Sequence, residues 1–366
     1  MAALRSLAGA LSGRPRAVAP QVAAPVVAII LAALVGSAIV AGLGKDPVRV
    51  MGTMVSFSLG RLDSFAIVLF RATPLVFSGL ATALCFRLAL FNIGVEGQYL
   101  VGTFLAALVG FSLKGLPAGV HLPLVVAAGM AGGVLWSALP AYLKARRGAH
   151  EVITTIMMNY IAYSLIQWLI ADVFIDRGQM SELGLGSPRV RTPPLEPSAR
   201  VPTLHGALAN LGVALPGYVY LNWFFPLGVF LCGVLHFLVW GTSFGFRLRA
   251  CSHGPEAAEA AGIDVRKVQM RVFLLSGALA GAVGLSDLAS YFGYMDIDFP
   301  RGYGFTGIAV ALVARNEPWG VLLAALFFSF LQRGAEGMQA LQGVPMEVVT
   351  ILQAVIILAL GVAQTL

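Results

Sequence analysis

Charge is scarce in this chain. Charged residues are 11% of its 366 residues, whereas a soluble domain carries about 25% and needs that charge to face water. A set of soluble domains is therefore excluded, because too little polar surface exists to wrap their cores. Cysteine is also scarce: Cys85, Cys232 and Cys251 stand far apart, which excludes a disulfide framework, a CxxC redox pair and a cysteine zinc site. They read as small packing residues. Complete catalytic motifs are missing too. Gly44-Lys45 imitates the end of a phosphate loop, but Ile39 holds the first glycine position and Asp46 stands where Ser or Thr is required. His150-Glu151 begins an HExxH string that ends on Thr154, so the second metal ligand is absent. Gly302, Gly304 and Gly307 form a GxGxxG without a preceding strand, and no GxSxG element occurs. Nothing marks an enzyme, a metal centre or a nucleotide site.

What is present is apolar: 58% of the residues, arranged in recurring runs of about 20. The expected fold is all-α and polytopic, with spans at 22–43, 64–86, 89–112, 117–143, 152–173, 222–243, 271–292, 303–315, 318–335 and 346–366, about ten in all. The run at 303–315 is too short to cross alone and reads as a half-helix or re-entrant segment held by protein. The net charge of +7 fits the positive-inside rule rather than nucleic-acid binding. With residues 1–21 cytoplasmic, the Lys144–Arg147 turn and the basic 244–270 segment also fall inside, as does the C-terminus. The proline-rich stretch 176–217 then faces outward and divides the chain into transmembrane halves, 22–175 and 218–366. The halves echo each other loosely, FSGLATAL at 77–84 against LSGALAGAV at 275–283, and such a repeat predicts a substrate path at their interface.

Polar groups within spans are costly and so need a purpose. In FNIGVEGQYLVG, 91–102, Asn92 and Glu96 are four apart, which on a helix puts them on one face with Tyr99 three further on. Together with Gln98 they suit hydrogen bonding to a neutral, hydroxyl-rich solute, or an interhelical clamp. Thr155 and Asn159 repeat the four-residue spacing in the next span. Asp287 and the irregular stretch GYMDIDFPRGYGFTG, 293–307, which contains Tyr303, break the apolar pattern. Asn92, Glu96, Gln98, Tyr99, Thr155, Asn159, Asp287 and Tyr303 are therefore the candidates for lining or gating a path. A different feature is RACSHGPEAAEAAGI, 249–263: Pro255 opens a short helix, Glu256 and Glu259 sit near its positive end, and Gly262 closes it. So short a helix is marginal in water and calls for a partner or for its own bundle.

Four strings, FNIGVEGQ (91–98), ITTIMMNYIA (153–162), RACSHGPEAAEAAGI (249–263) and GYGFTGIAVALVARNEPWG (302–320), resemble the permease subunits of bacterial ATP-binding-cassette importers. The resemblance is to the ribose and branched-chain amino-acid permease superfamily, nearest its nucleoside branch, and covers 60–366. It implies a bacterial inner-membrane subunit that moves a small polar solute, most readily a nucleoside, by alternating access. It further implies two cytoplasmic ATPase subunits that hold the ATP and Mg, an extracytoplasmic solute-binding protein, and a second permease, identical or related. No cofactor is expected on this chain. The ATPase coupling helix would fall on Pro255, Glu256, Ala257, Ala258, Glu259, Ala260, Ala261 and Gly262, with Ser252 and Gly254 departing from the family pattern at its entry. A proton-coupled secondary carrier is the alternative, with Glu96 or Asp287 carrying the proton. Import of a branched-chain amino acid or a simple sugar is a further one.

Overall fold

The computed structural model describes residues 18–178, 189–299 and 302–365. The N-terminal arginines, Pro188 and Pro300 lie outside the described residues. Among the described residues the secondary structure is helical, with only two isolated β-bridges, Arg191 to Asp296 and Thr203 to Asn222. In chain order the helices are α1 (Val18–Gly42), α2 (Pro47–Leu59), α3 (Leu62–Phe86), α4 (Val95–Ser112), α5 (Ala118–Arg147), α6 (Glu151–Trp168), α7 (His205–Ala209), α8 (Phe224–Gly241), α9 (Ser243–His253), α10 (Pro255–Ala260), α11 (Val265–Gly281), α12 (Tyr303–Val313), α13 (Pro318–Gln342) and α14 (Glu347–Thr365). Helix α6 runs on into a π-helical turn at Leu169–Val173, and a second such turn at Asp287–Phe292 follows α11.

Six described helices, α3, α4, α5, α6 with its π turn, α8 and α13, are each long and apolar enough to cross a bilayer. The expected ten are not reached, for identifiable reasons. The α1–α2 pair passes only when taken together, and it is bent by 117°. Helix α12 has 11 residues, about half a bilayer at 1.5 Å per residue. Helix α11 opens with Arg266, Lys267 and Arg271, so its apolar part is short.

The chain divides into two compact units, one of residues 1–54 with 335–366 and one of 55–334. In the first, α1 packs on α14, and Gly36 lies so close that an added Cβ would sit 2.5 Å from Leu352. The second holds every candidate site residue. Its densest packing is α11 on α5 and α4 on α5, with α12 lying along α3. Glycines make this possible: a Cβ on Gly133 would fall 2.0 Å from the Gly277 carbonyl oxygen, and one on Gly281 2.1 Å from that of Gly129. Lipid supplies no hydrophobic drive between helices, so close backbone approach through small residues carries the association instead. The echoing strings also meet, since the Ser276 hydroxyl donates to the Ala81 carbonyl at 2.7 Å. Cys85, Cys232 and Cys251 are buried and free.

Candidate translocation site

The site is built where α4 begins. Residues 88–94 between α3 and α4 are not helical, so Asn92 precedes the helix rather than sharing a helical face with Glu96. The cause is local. Asn92 turns its side-chain oxygen onto the Gly94 N–H at 3.1 Å, a side-chain-to-backbone bond that competes with helix. The fully buried Asn92 and Gln98 amides then pair reciprocally at 3.0 and 3.1 Å, and Asn92 also donates to Ser276 at 3.0 Å. One asparagine thus ties α4 to α11 and, through Ser276, to α3.

Helix α6 closes the other side. The Asn159 oxygen accepts from the Gly97 N–H at 2.9 Å, and its amide donates to the Ile93 carbonyl at 3.0 Å. Gly97 is glycine because α6 comes so near, a Cβ there lying 2.8 Å from Asn159 Oδ1. Thr155, by contrast, donates to Glu151 in its own helix at 2.7 Å. Glu151 itself pairs with Lys144 at 2.7 Å, so the string that imitates a zinc motif is a salt bridge at the α5–α6 turn.

Glu96 sits in the first turn of α4 and is 1% exposed. Its Oε2 accepts from the Gly304 N–H at 2.7 Å and its Oε1 from the Tyr163 hydroxyl at 3.1 Å. Gly304 belongs to the first turn of α12, where unpaired N–H groups and the helix dipole favour an anion. One carboxylate therefore serves the starts of two helices. Contact is tight, since a Cβ on Gly304 would lie 2.4 Å from the Glu96 nitrogen. On the adjoining side Ser78 donates to the Tyr303 carbonyl at 2.8 Å, Tyr303 donates to Asp287 at 2.7 Å, and the rings of Tyr99 and Tyr303 lie 6.3 Å apart.

The eight candidates thus gather around the beginnings of α4 and α12. Tyr163, Ser78, Ser276 and Gly304 were missed as partners. Tyr163 was readable, standing one helical turn beyond Asn159; the others are small residues whose role comes only from distant contacts.

The second candidate element is α10. Gly254 adopts extended backbone before Pro255 at the first turn. The helix ends as a Schellman cap: Gly262 has φ +82°, its N–H bonds to Glu259 at 2.9 Å, and the Ile263 N–H reaches Ala258 at 2.9 Å. The helix proper stops at Ala260, with Ala261 and Gly262 forming this cap. Of the eight residues named for coupling, only Ala258 is buried, and the other seven are exposed.

Comparison with known proteins follows the same outline. The chain is 41% identical over 289 residues to the guanosine ABC transporter permease protein NupP of Bacillus subtilis, covering 79% of this chain and 78% of that one. It is 34% identical to the glucose ABC transporter permease protein TsgB13 of Haloferax volcanii, covering 89% and 83%. The nucleoside ABC transporter permease protein NupB of Lactococcus lactis is 31% identical, covering 89% and 87%. The model of one family, described as branched-chain amino acid transport system / permease component, matches residues 64–361. With the match running from the start of α3 into α14, this multi-pass membrane chain belongs to that permease family.

Proposed function

We propose that the chain is the membrane-spanning subunit of an ATP-driven importer and that its solute is a nucleoside. The observation that carries the reading is the 41% identity to a guanosine permease across four-fifths of the chain. In this reading the chain lies in a bacterial inner membrane with both termini inside, and its halves, 22–175 and 218–366, flank an external stretch at 176–217. It binds no cofactor. ATP and Mg sit on two separate ATPase subunits, a binding protein delivers solute outside, and a second permease, identical or related, completes the path.

Helix α10 docks on the ATPase; its exposure, Pro255 at its first turn and its Schellman cap support that role. Asn92, Glu96, Gln98, Tyr99, Thr155, Asn159, Asp287 and Tyr303 form the gate. As described, most of their polar atoms bond to protein, which suits a closed state. Opening moves α12 off α4 and exchanges the Glu96, Tyr163 and Tyr303 bonds for bonds to sugar hydroxyls, while the tyrosine rings offer faces to a flat base. The resemblance to TsgB13 favours a second reading, a simple sugar as solute.

The two are separated by uptake of labelled guanosine into vesicles holding the permease, its ATPase and its binding protein, challenged with unlabelled nucleosides or glucose. Competition by nucleosides alone is expected. Guanosine uptake no higher than in vesicles without the permease, with labelled glucose taken up instead, sinks the nucleoside assignment.

A further inference from the structure

Trp240, the next-to-last residue of α8, lies beneath two guanidinium groups. Arg249 of α9 is 4.9 Å from the ring centroid, and Arg87, just past the end of α3, is 5.5 Å from it. A cation over an indole face is held by the ring quadrupole, most strongly where water is partly excluded. Each arginine is also fixed at its other groups. Arg249 donates to the Val239 carbonyl at the end of α8. Arg87 pairs with Glu317 at 2.8 Å and donates to the Asn316 carbonyl at 3.0 Å.

Those last contacts reach the turn between α12 and α13. Arg315 and Asn316 there take φ of +53° and +60°, left-handed backbone that residues with a Cβ adopt only when surrounding contacts hold it. One indole thus connects α9 to the ends of α3 and α8 and to the α12–α13 turn. Helix α9 leads directly into α10 through Gly254. Helix α12 is accordingly gripped at both ends, by the arginine-bound turn at one and by the Glu96 carboxylate at the other. Its 11 residues are too few to bend much between the two. A displacement of α9 has a short, contiguous route to Glu96.

We infer that the Arg87–Trp240–Arg249 cluster is the link that passes motion of the α9–α10 segment to half-helix α12, with Trp240 and Arg249 acting as positioning residues for import. This rests on the importer reading above. Arg87 acts through the α12–α13 turn it holds, and Arg249 through the Val239 carbonyl and the Trp240 ring.

The test uses the full complex of permease, ATPase and binding protein in proteoliposomes, reading both ATP hydrolysis and guanosine uptake. Variants are Trp240→Leu, Arg249→Gln and the conservative Trp240→Phe, which keeps an aromatic face. Copurification of the ATPase establishes that each variant assembles. We expect Trp240→Leu and Arg249→Gln to raise the ATP hydrolysed per solute imported about tenfold, a change in the range of ordinary coupling energies, with Trp240→Phe within about twofold of wild type. Uptake and hydrolysis falling in proportion, or Trp240→Leu importing as well as wild type, overturns the link. If wild-type uptake needs no ATPase, the importer reading itself has failed, and the wild-type arm alone reveals that.

Discussion

Replacing Glu96 by Gln or by Ala separates a clamp from a titrating carrier. Glutamine keeps the size of the side chain, one acceptor oxygen and a place for the other contact. Its oxygen takes the Gly304 N–H and its amide donates to the Tyr163 oxygen, because a hydroxyl can accept as well as donate. What is lost is charge. Charge-assisted bonds run about twice as strong as neutral ones, and a carboxylate at a helix start adds up to ~2 kcal/mol, while burying no charge returns part of this. The net cost of Glu96→Gln is therefore about 1–2 kcal/mol. Alanine instead orphans two donors in a buried place, at about 1–3 kcal/mol each, for about 2–6 kcal/mol. The assay is the thermal midpoint of the purified complex alongside uptake. Glu96→Gln should retain uptake within about tenfold of wild type and melt between wild type and Glu96→Ala. Equal midpoints for Ala and Gln would refute the clamp, and abolished uptake in a fully stable Gln variant would point to a proton carried by Glu96.

Two other perturbations follow from packing and charge. Gly281→Ala drives a methyl against the Gly129 carbonyl and should cost at least about 1–3 kcal/mol, whereas Gly52→Ala in α2 meets nothing within 4 Å and should be neutral or slightly stabilising; equal midpoints would contradict the close α5–α11 contact. Asp264, the cap of α11, is held below the ordinary carboxylate range by the Lys267 backbone N–H and then by the Lys267 ammonium. A depressed folded value means its contribution is full above the ordinary Asp value and is lost as pH falls through the folded one. The stability difference between wild type and Asp264→Asn should therefore hold at neutral pH and shrink only on acidification below the ordinary Asp value, and a difference indifferent to pH would remove Asp264 as the cause.

Long apolar runs were legible because a bilayer demands them: α3 was expected at 64–86 and found at Leu62–Phe86, and α12 at 303–315 and found as the half-length Tyr303–Val313. Helix α2 was not expected at all, since Arg49, Thr53, Ser56 and Ser58 dilute its hydropathy. The start of α4 was misplaced by six residues because hydropathy does not register Asn92 bonding to its own backbone. The polar residues of the site were visible by their rarity within spans, but their pairing was not. Gly304 meeting Glu96 joins positions 208 apart in the chain, and the Arg87–Trp240 contact also arises only once the helices are packed.

The central claim, that ATP hydrolysed on a partner drives a nucleoside through this chain, is tested most directly by uptake of labelled guanosine with and without the ATPase. Wild type is compared with Glu256→Lys/Ala257→Arg, two exposed positions of α10, at matched expression and insertion. The account predicts uptake that requires the ATPase, collapses in the double variant and survives a protonophore. Uptake that persists without the ATPase and follows the proton gradient would contradict it.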